Sequence, residues 1–136
     1  MDRVTRFGVS LPGKLVERFD RTLAALGYDN RSKAIRDALT DFMAQSSWKS
    51  GEGRFIGSIS YLYDHHVGDV TSELTEAQHR FSGLIKAVMH SHVSHSECVE
   101  VLIVSGMKRE ITSLHNQISS TRGVESCKLD VLKEVS

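Results

Sequence analysis

The chain has 136 residues, enough for one domain or two small ones, with 17 Lys and Arg balanced by 17 Asp and Glu. A net charge of zero gives no overall field toward nucleic acid, so any DNA binding must come from locally placed charge and from oligomerisation. There is no apolar run of membrane-spanning length, MDRVTRFGVSL lacks the core of a secretory signal, and Cys98 and Cys127 make no disulfide framework; a cytoplasmic protein with reduced thiols and no membrane contact is expected.

From 7 to 11 the residues alternate, with Phe7, Val9 and Leu11 on one side and Arg6, Gly8 and Ser10 on the other, which predicts a short strand with one apolar face. Pro12 suits the start of a helix, Leu15, Phe19, Leu23 and Leu26 recur at helical spacing, and Gly27 stops the run. Asn30 or Ser32 can cap a second helix with the stripe Ile35, Ala38, Leu39 and Phe42, and 45–53 reads as a linker. A strand–helix–helix unit this small cannot bury its own apolar faces, and a lone strand leaves its backbone groups unpaired. Two chains pairing these strands antiparallel would solve both problems, so the first segment implies a dimer.

The remainder predicts strand, helix, strand, strand, helix, strand. A strand over 55–63 alternates around Ile56, Ile59 and Tyr61. A helix over 69–86 has Leu74, Ala77, Phe81, Leu84 and Ile85 as its inner face. Strands over 88–93 and 98–105 are joined by the turn SHSE, a helix is marked by Ile111, Leu114 and Ile118 and ended by Gly123, and a last strand covers 124–132. That order is the split βαβ, ferredoxin-like arrangement.

Most of the seven histidines fall between His65 and His95, a clustering that hints at metal chemistry. His90 and His92 are two apart on a strand and project from one face. Across the turn Cys98 lies opposite His92 on that same face, and His79 on the preceding helix is placed to complete a four-ligand set. A mixed nitrogen and sulfur set suits zinc, copper or nickel, whereas magnesium and calcium want oxygen. His65 and His66 at a strand end and His95 in the turn read as solvent-exposed, with a secondary metal site at His65 or His66 as the alternative. His115 and Cys127 read as structural, and Trp48 as a packing residue.

RFGVSLPGKLVERFD with GYDNRSKAIRD, and His79 with MHSHVSHSECVE, resemble the NikR family of nickel-responsive regulators over nearly the whole chain. The resemblance implies an α+β chain: a dimeric βαα ribbon-helix-helix DNA-binding domain over 1–48, a linker over 49–53, and an ACT-like nickel-binding and tetramerisation domain over 54–136. It implies nickel(II) in a square plane of His79, His90, His92 and Cys98, with His79 supplied by a different chain from the other three. It implies no enzyme but a repressor of nickel uptake, a dimer of dimers on a palindromic operator. A ribbon laid in the major groove presents Arg6, Gly8 and Ser10 to the bases, and the start of the second helix, Asn30, Arg31 and Ser32, faces a phosphate.

The chain departs from relatives that have a carboxylate at Lys33, where the resemblance implies a second cation, and basic residues at Val67 and Gly68. Lys33 and Asp37, four apart on a helix, are expected to pair instead. The competing readings are a regulator of the same fold answering to zinc or copper, a ribbon-helix-helix protein sensing a small molecule, and an enzyme with Cys98 as nucleophile and His92 as base. The last has no third orienting group and no oxyanion site.

Overall fold

The computed structural model describes residues 2–135; positions 1 and 136, the outer ends of the two expected domains, lie outside the described residues. Contacts divide the chain into two compact units, Met1–Leu39 and Thr40–Ser136.

In the first unit α1, Gly13–Leu26, is closed by Gly27 at φ 81, a left-handed conformation that suits a residue without Cβ. Helix α2, Arg31–Ser50, starts behind Asn30, whose Oδ1 accepts the Lys33 N–H at 3.0 Å; of the two expected caps, Asn30 is the one used. Arg31 donates from Nε and Nη2 to the two carboxylate oxygens of Asp20 at 2.9 and 2.8 Å, which ties the start of α2 to α1 and holds the Asp20 carboxyl below its usual range. Lys33 does pair with Asp37, at 2.5 Å, and Tyr28 donates to the other Asp37 oxygen at 2.6 Å. Both bonds lower the Asp37 pKa, that of Lys33 more. The expected strand over 7–11 is absent within the single chain, where residues 2–11 belong to no helix or strand. A ribbon strand exists only through its pairing, and the pairing expected here is with a second chain.

Two expectations about length change. Helix α2 runs to Ser50 rather than fading after Met43, so only 51–53 separates it from the next strand. Its end is held by packing: the Trp48 ring meets Phe55 edge-on with centroids 5.0 Å apart, and Lys108 lies over Trp48 and donates to its carbonyl. Trp48 is thus a packing residue.

In the second unit the elements are β1 Arg54–Asp64, α3 Val70–Arg80, β2 Ile85–His92, β3 Glu97–Met107, α4 Lys108–Ser119 and β4 Val124–Val135. The sheet order is β2-β3-β1-β4 with every neighbouring pair antiparallel, the ferredoxin-like topology expected. Phe55, Ile59, Tyr61 and Tyr63 face inward on β1, while Ile56 is only partly buried, because residues three apart on a strand lie on opposite faces. Helix α3 stops at Arg80 and not at 86, since a turn follows through Leu84 N–H to Phe81 O and Ile85 already pairs with Val104. Strand β4 continues past 132 to Val135 along β1.

Leu74 and Ala77 of α3 and Ile111, Leu114 and Ile118 of α4 bury against Phe55, Ile59, Leu102 and Val104 on one face of the sheet. The β1–β4 ladder has a bulge beside Gly57, where a Cβ would come within 2.4 Å of the Asp130 carbonyl oxygen. Replacing Gly57→Ala should therefore lower unfolding stability by about 1–3 kcal/mol, the range for overpacking. Urea denaturation measures this, with Gly83→Ala, whose Cβ would meet nothing within 4 Å, as the control. Equal midpoints for the two variants would show that β4 yields at the bulge without cost.

Candidate metal centre

The β2–β3 hairpin pairs His92 with Cys98 and His90 with Glu100, so these four side chains share the sheet face that the helices cover. On its other side Cys98 pairs with Tyr63 and Glu100 with Tyr61. Cys98 is 1% exposed, with Sγ 3.2 Å from His92 Nδ1 and 3.5 Å from His65 Nδ1. Donor atoms of His65, His92 and Cys98 all lie within 4.8 Å of one another. His65 was expected to be an incidental exposed residue; it is partly buried, and its N–H donates to Ser96 O at 2.9 Å, which fastens the end of β1 to the β2–β3 turn. The direction taken by the chain after Asp64 decides this, and no spacing in the sequence reports it.

His90 stands beside this group, its ring centroid 5.0 Å from that of His92. Its Nδ1 is 3.5 Å from Glu100 Oε2 and 3.5 Å from the Tyr63 hydroxyl. Glu100 is buried, and its Oε1 accepts from Tyr61 OH at 2.9 Å and Gln78 Nε2 at 3.2 Å. A carboxylate behind one ring nitrogen orients an imidazole and leaves the other nitrogen for a ligand. Burial first, then the charges of Glu100 and Cys98, pushes the Tyr63 pKa up to about 12. Burial and Glu100 raise Tyr61 as well, so both phenols stay protonated and able to donate. The sequence reading missed Glu100, Tyr61, Tyr63 and Gln78 as supports of the site.

His79 occupies the last turn of α3 and is exposed. Its neighbour Gln78 faces Glu100, and one residue further on is a rotation of about 100° around the helix. Among the described residues, the donors brought together are therefore His92 and Cys98 with His65, with His90 alongside and His79 apart. Two imidazoles and a thiol fit a transition metal such as nickel, zinc or copper, and do not fit magnesium or calcium.

The expected DNA-contacting residues lie in the first unit. Arg6, Gly8, Ser10, Asn30, Arg31 and Ser32 are all exposed. The Arg31 guanidinium already forks onto Asp20, and Asn30 spends its carbonyl oxygen on the helix cap. Phe7, Val9, Leu11 and Leu15 are exposed as well, at 69%, 67%, 52% and 46%.

Comparison with known proteins bears on both units. The profile of the NikR C-terminal nickel binding domain matches residues 56–132, and that of the copG family of ribbon-helix-helix proteins matches residues 5–46. A relative from Methanocaldococcus jannaschii is 40% identical over 133 residues, covering 97% of this chain and 94% of its own. Relatives from Caldanaerobacter subterraneus and Pyrococcus abyssi are each 39% identical over 129 residues, covering 95% of this chain and 84% and 93% of their own. All three carry the provisional description of nickel-responsive regulator. In fold alone, an uncharacterized protein from Thermotoga maritima superposes with a TM-score of 0.55 at 17% identity, over 59% of this chain and 99% of its own. With a C-terminal nickel binding domain behind a ribbon-helix-helix domain, and relatives aligned almost end to end, this chain belongs to the NikR family of nickel-responsive regulators.

Proposed function

We propose that this regulator works in the cytoplasm by binding alone, repressing nickel uptake by closing a palindromic operator when nickel(II) is bound. The observation that carries the reading is the pairing of His92 with Cys98 across a hairpin in a chain whose other end is a ribbon-helix-helix arm. In this reading 1–48 binds DNA, 49–53 links, and 54–136 senses the metal. His90, His92 and Cys98 would hold nickel together with His79 of the partner subunit, and the metal supplies a bond between subunits that neither chain makes alone. His79 supports this assignment by being exposed, at a place on α3 where a second chain can reach it. Glu100 and Tyr63 hold the His90 ring, and Cys98 is withdrawn from solvent by the helices.

The assembly proposed is a homotetramer built as a dimer of dimers. Its ribbon dimers would bury Phe7, Val9 and Leu11. Its regulatory domains would meet through the sheet face without helices, where Ile103 and Met89 remain 41% and 67% exposed. Arg6 and Ser10 would read base edges, Gly8 would let the ribbon lie close to them, and Asn30, Arg31 and Ser32 would position the arm on phosphate. Metal and operator are then two distinct sites coupled through the assembly, and nickel must bind the DNA-competent arrangement more tightly for the coupling to exist.

Three measurements test this. Duplexes selected from a random library in the presence of nickel should be bound by the protein more tightly with nickel than without, and equal binding in the two conditions would end the regulatory reading. Nickel should bind once per chain with a thiolate-to-metal absorption band that Cys98→Ser abolishes while the circular dichroism is kept; a surviving band would remove Cys98 from the ligand set. Arg6→Ala should cost about 1–3 kcal/mol on a selected duplex, the range for a lost bidentate base contact, with nickel binding unchanged. The same loss on random DNA at the same ionic strength would show that Arg6 touches only phosphate.

A further inference from the structure

Resting on the assignment of this hairpin as the metal centre, the geometry points to a second ligand set within one subunit: His65, His92 and Cys98, a three-donor site for a thiophilic tetrahedral cation such as zinc(II). The donors are already gathered within 4.8 Å, without His79 and without His90. A tetrahedral zinc at its usual bond lengths separates a sulfur from a nitrogen donor by about 3.5 Å, and a right-angled pair by about 3.1 Å. Sγ of Cys98 is 3.5 Å from His65 Nδ1 and 3.2 Å from His92 Nδ1, so the His65 arm matches the wider angle. Water fills the fourth position.

The tautomer of His65 also fits a ligand. Asp64 Oδ1 accepts the His66 backbone N–H at 2.9 Å and faces His66 Nδ1 at 3.6 Å. A carboxylate there favours the proton on His66 Nδ1, which leaves His66 Nε2 as an acceptor. That nitrogen lies 3.1 Å from His65 Nε2, so the His65 proton sits on Nε2. The remaining lone pair of His65, on Nδ1, is the one directed at Cys98. Asp64 and His66 thus orient His65 as outer partners orient a metal-bound imidazole, and the bond from His65 N–H to Ser96 O holds the backbone in place.

Two cations of different geometry would then divide the hairpin. Both take His92 and Cys98; a tetrahedral ion adds His65 and stays in one protomer, whereas nickel adds His90 and the partner's His79. The test uses the full-length protein with cobalt(II) as the spectroscopic probe, zinc(II) as its competitor, and nickel(II) in parallel. Unmodified protein should give the intense visible bands of tetrahedral cobalt with a thiolate ligand, displaced by one zinc per chain. His65→Ala should weaken zinc by at least the roughly 10–100-fold that loss of an outer partner costs, and should remove the tetrahedral cobalt bands. It should leave the nickel–thiolate band in place, which also shows that the variant folds. His79→Ala and His90→Ala should do the reverse, weakening nickel and sparing zinc. Zinc affinity unchanged in His65→Ala, or lowered as much by His79→Ala, would overturn the second ligand set while the nickel centre stands. Absence of a nickel–thiolate band from the unmodified protein would overturn the metal centre itself, and this inference with it.

Discussion

The ladder between β1 and β3 runs from Arg54 opposite Met107 to Asp64 opposite Glu97 with no break in register, and the rest of the regulatory unit hangs on it. Because side chains alternate across a strand, a slip of one residue would turn Cys98, Glu100, Leu102 and Val104 out of the helix-covered face together. The apolar members of that set resist the slip, since Leu102 and Val104 are fully enclosed by the core. Cys98 and Glu100 therefore keep their places without a metal to hold them. The hairpin partner β2 inherits the same register from β3, and that is how His92 comes to face Cys98.

A buried carboxylate in such a core is expensive unless its oxygens are occupied. Glu100 meets that demand with Tyr61, Gln78 and His90, drawn from β1, α3 and β2. The two tyrosines have a physical reason to sit on an otherwise apolar face: each presents a ring to the core and a donor to the polar cluster, and their raised pKa values keep those donors protonated. The cluster joins three elements near the hairpin, so a change in where His90 points is felt by α3 through Gln78. That helix also carries His79.

The first unit has the opposite character. It buries Leu23 and Ala34 but leaves Phe7, Val9, Leu11 and Leu15 in solvent. Paired carboxylates and cations, Asp20 with Arg31 and Asp37 with Lys33, shape it from outside, and exposed pairs of this kind contribute little. Its apolar stripe needs a partner, and an identical stripe antiparallel to it is the simplest one. Where one unit is held by a filled core and the other by assembly, association and DNA binding become linked, because the same event that buries the ribbon creates the surface that reads bases.

Periodicity and spacing by themselves determined the order of the elements, the ferredoxin-like class, the pairing of His92 with Cys98, the caps at Gly27 and Asn30 and the Lys33–Asp37 pair, because each of these depends on neighbours a few residues apart. The start of β2 was hidden, since Leu84 and Ile85 extend the apolar stripe of α3 as well as they begin a strand, and only the pairing of Ile85 with Val104 separates the two. The extent of α2 was hidden for a similar reason, its last turns being held by Trp48 against Phe55 and not by helix-forming residues. The supports of the site lie far apart in sequence: Tyr61 and Glu100 are 39 residues apart, and Cys98 and His65 are 33. Nothing local marks Glu100 as buried or His65 as facing a thiol. Tertiary structure decided both, because they follow from which strands pair and in what register, and from where the backbone turns once it leaves the sheet.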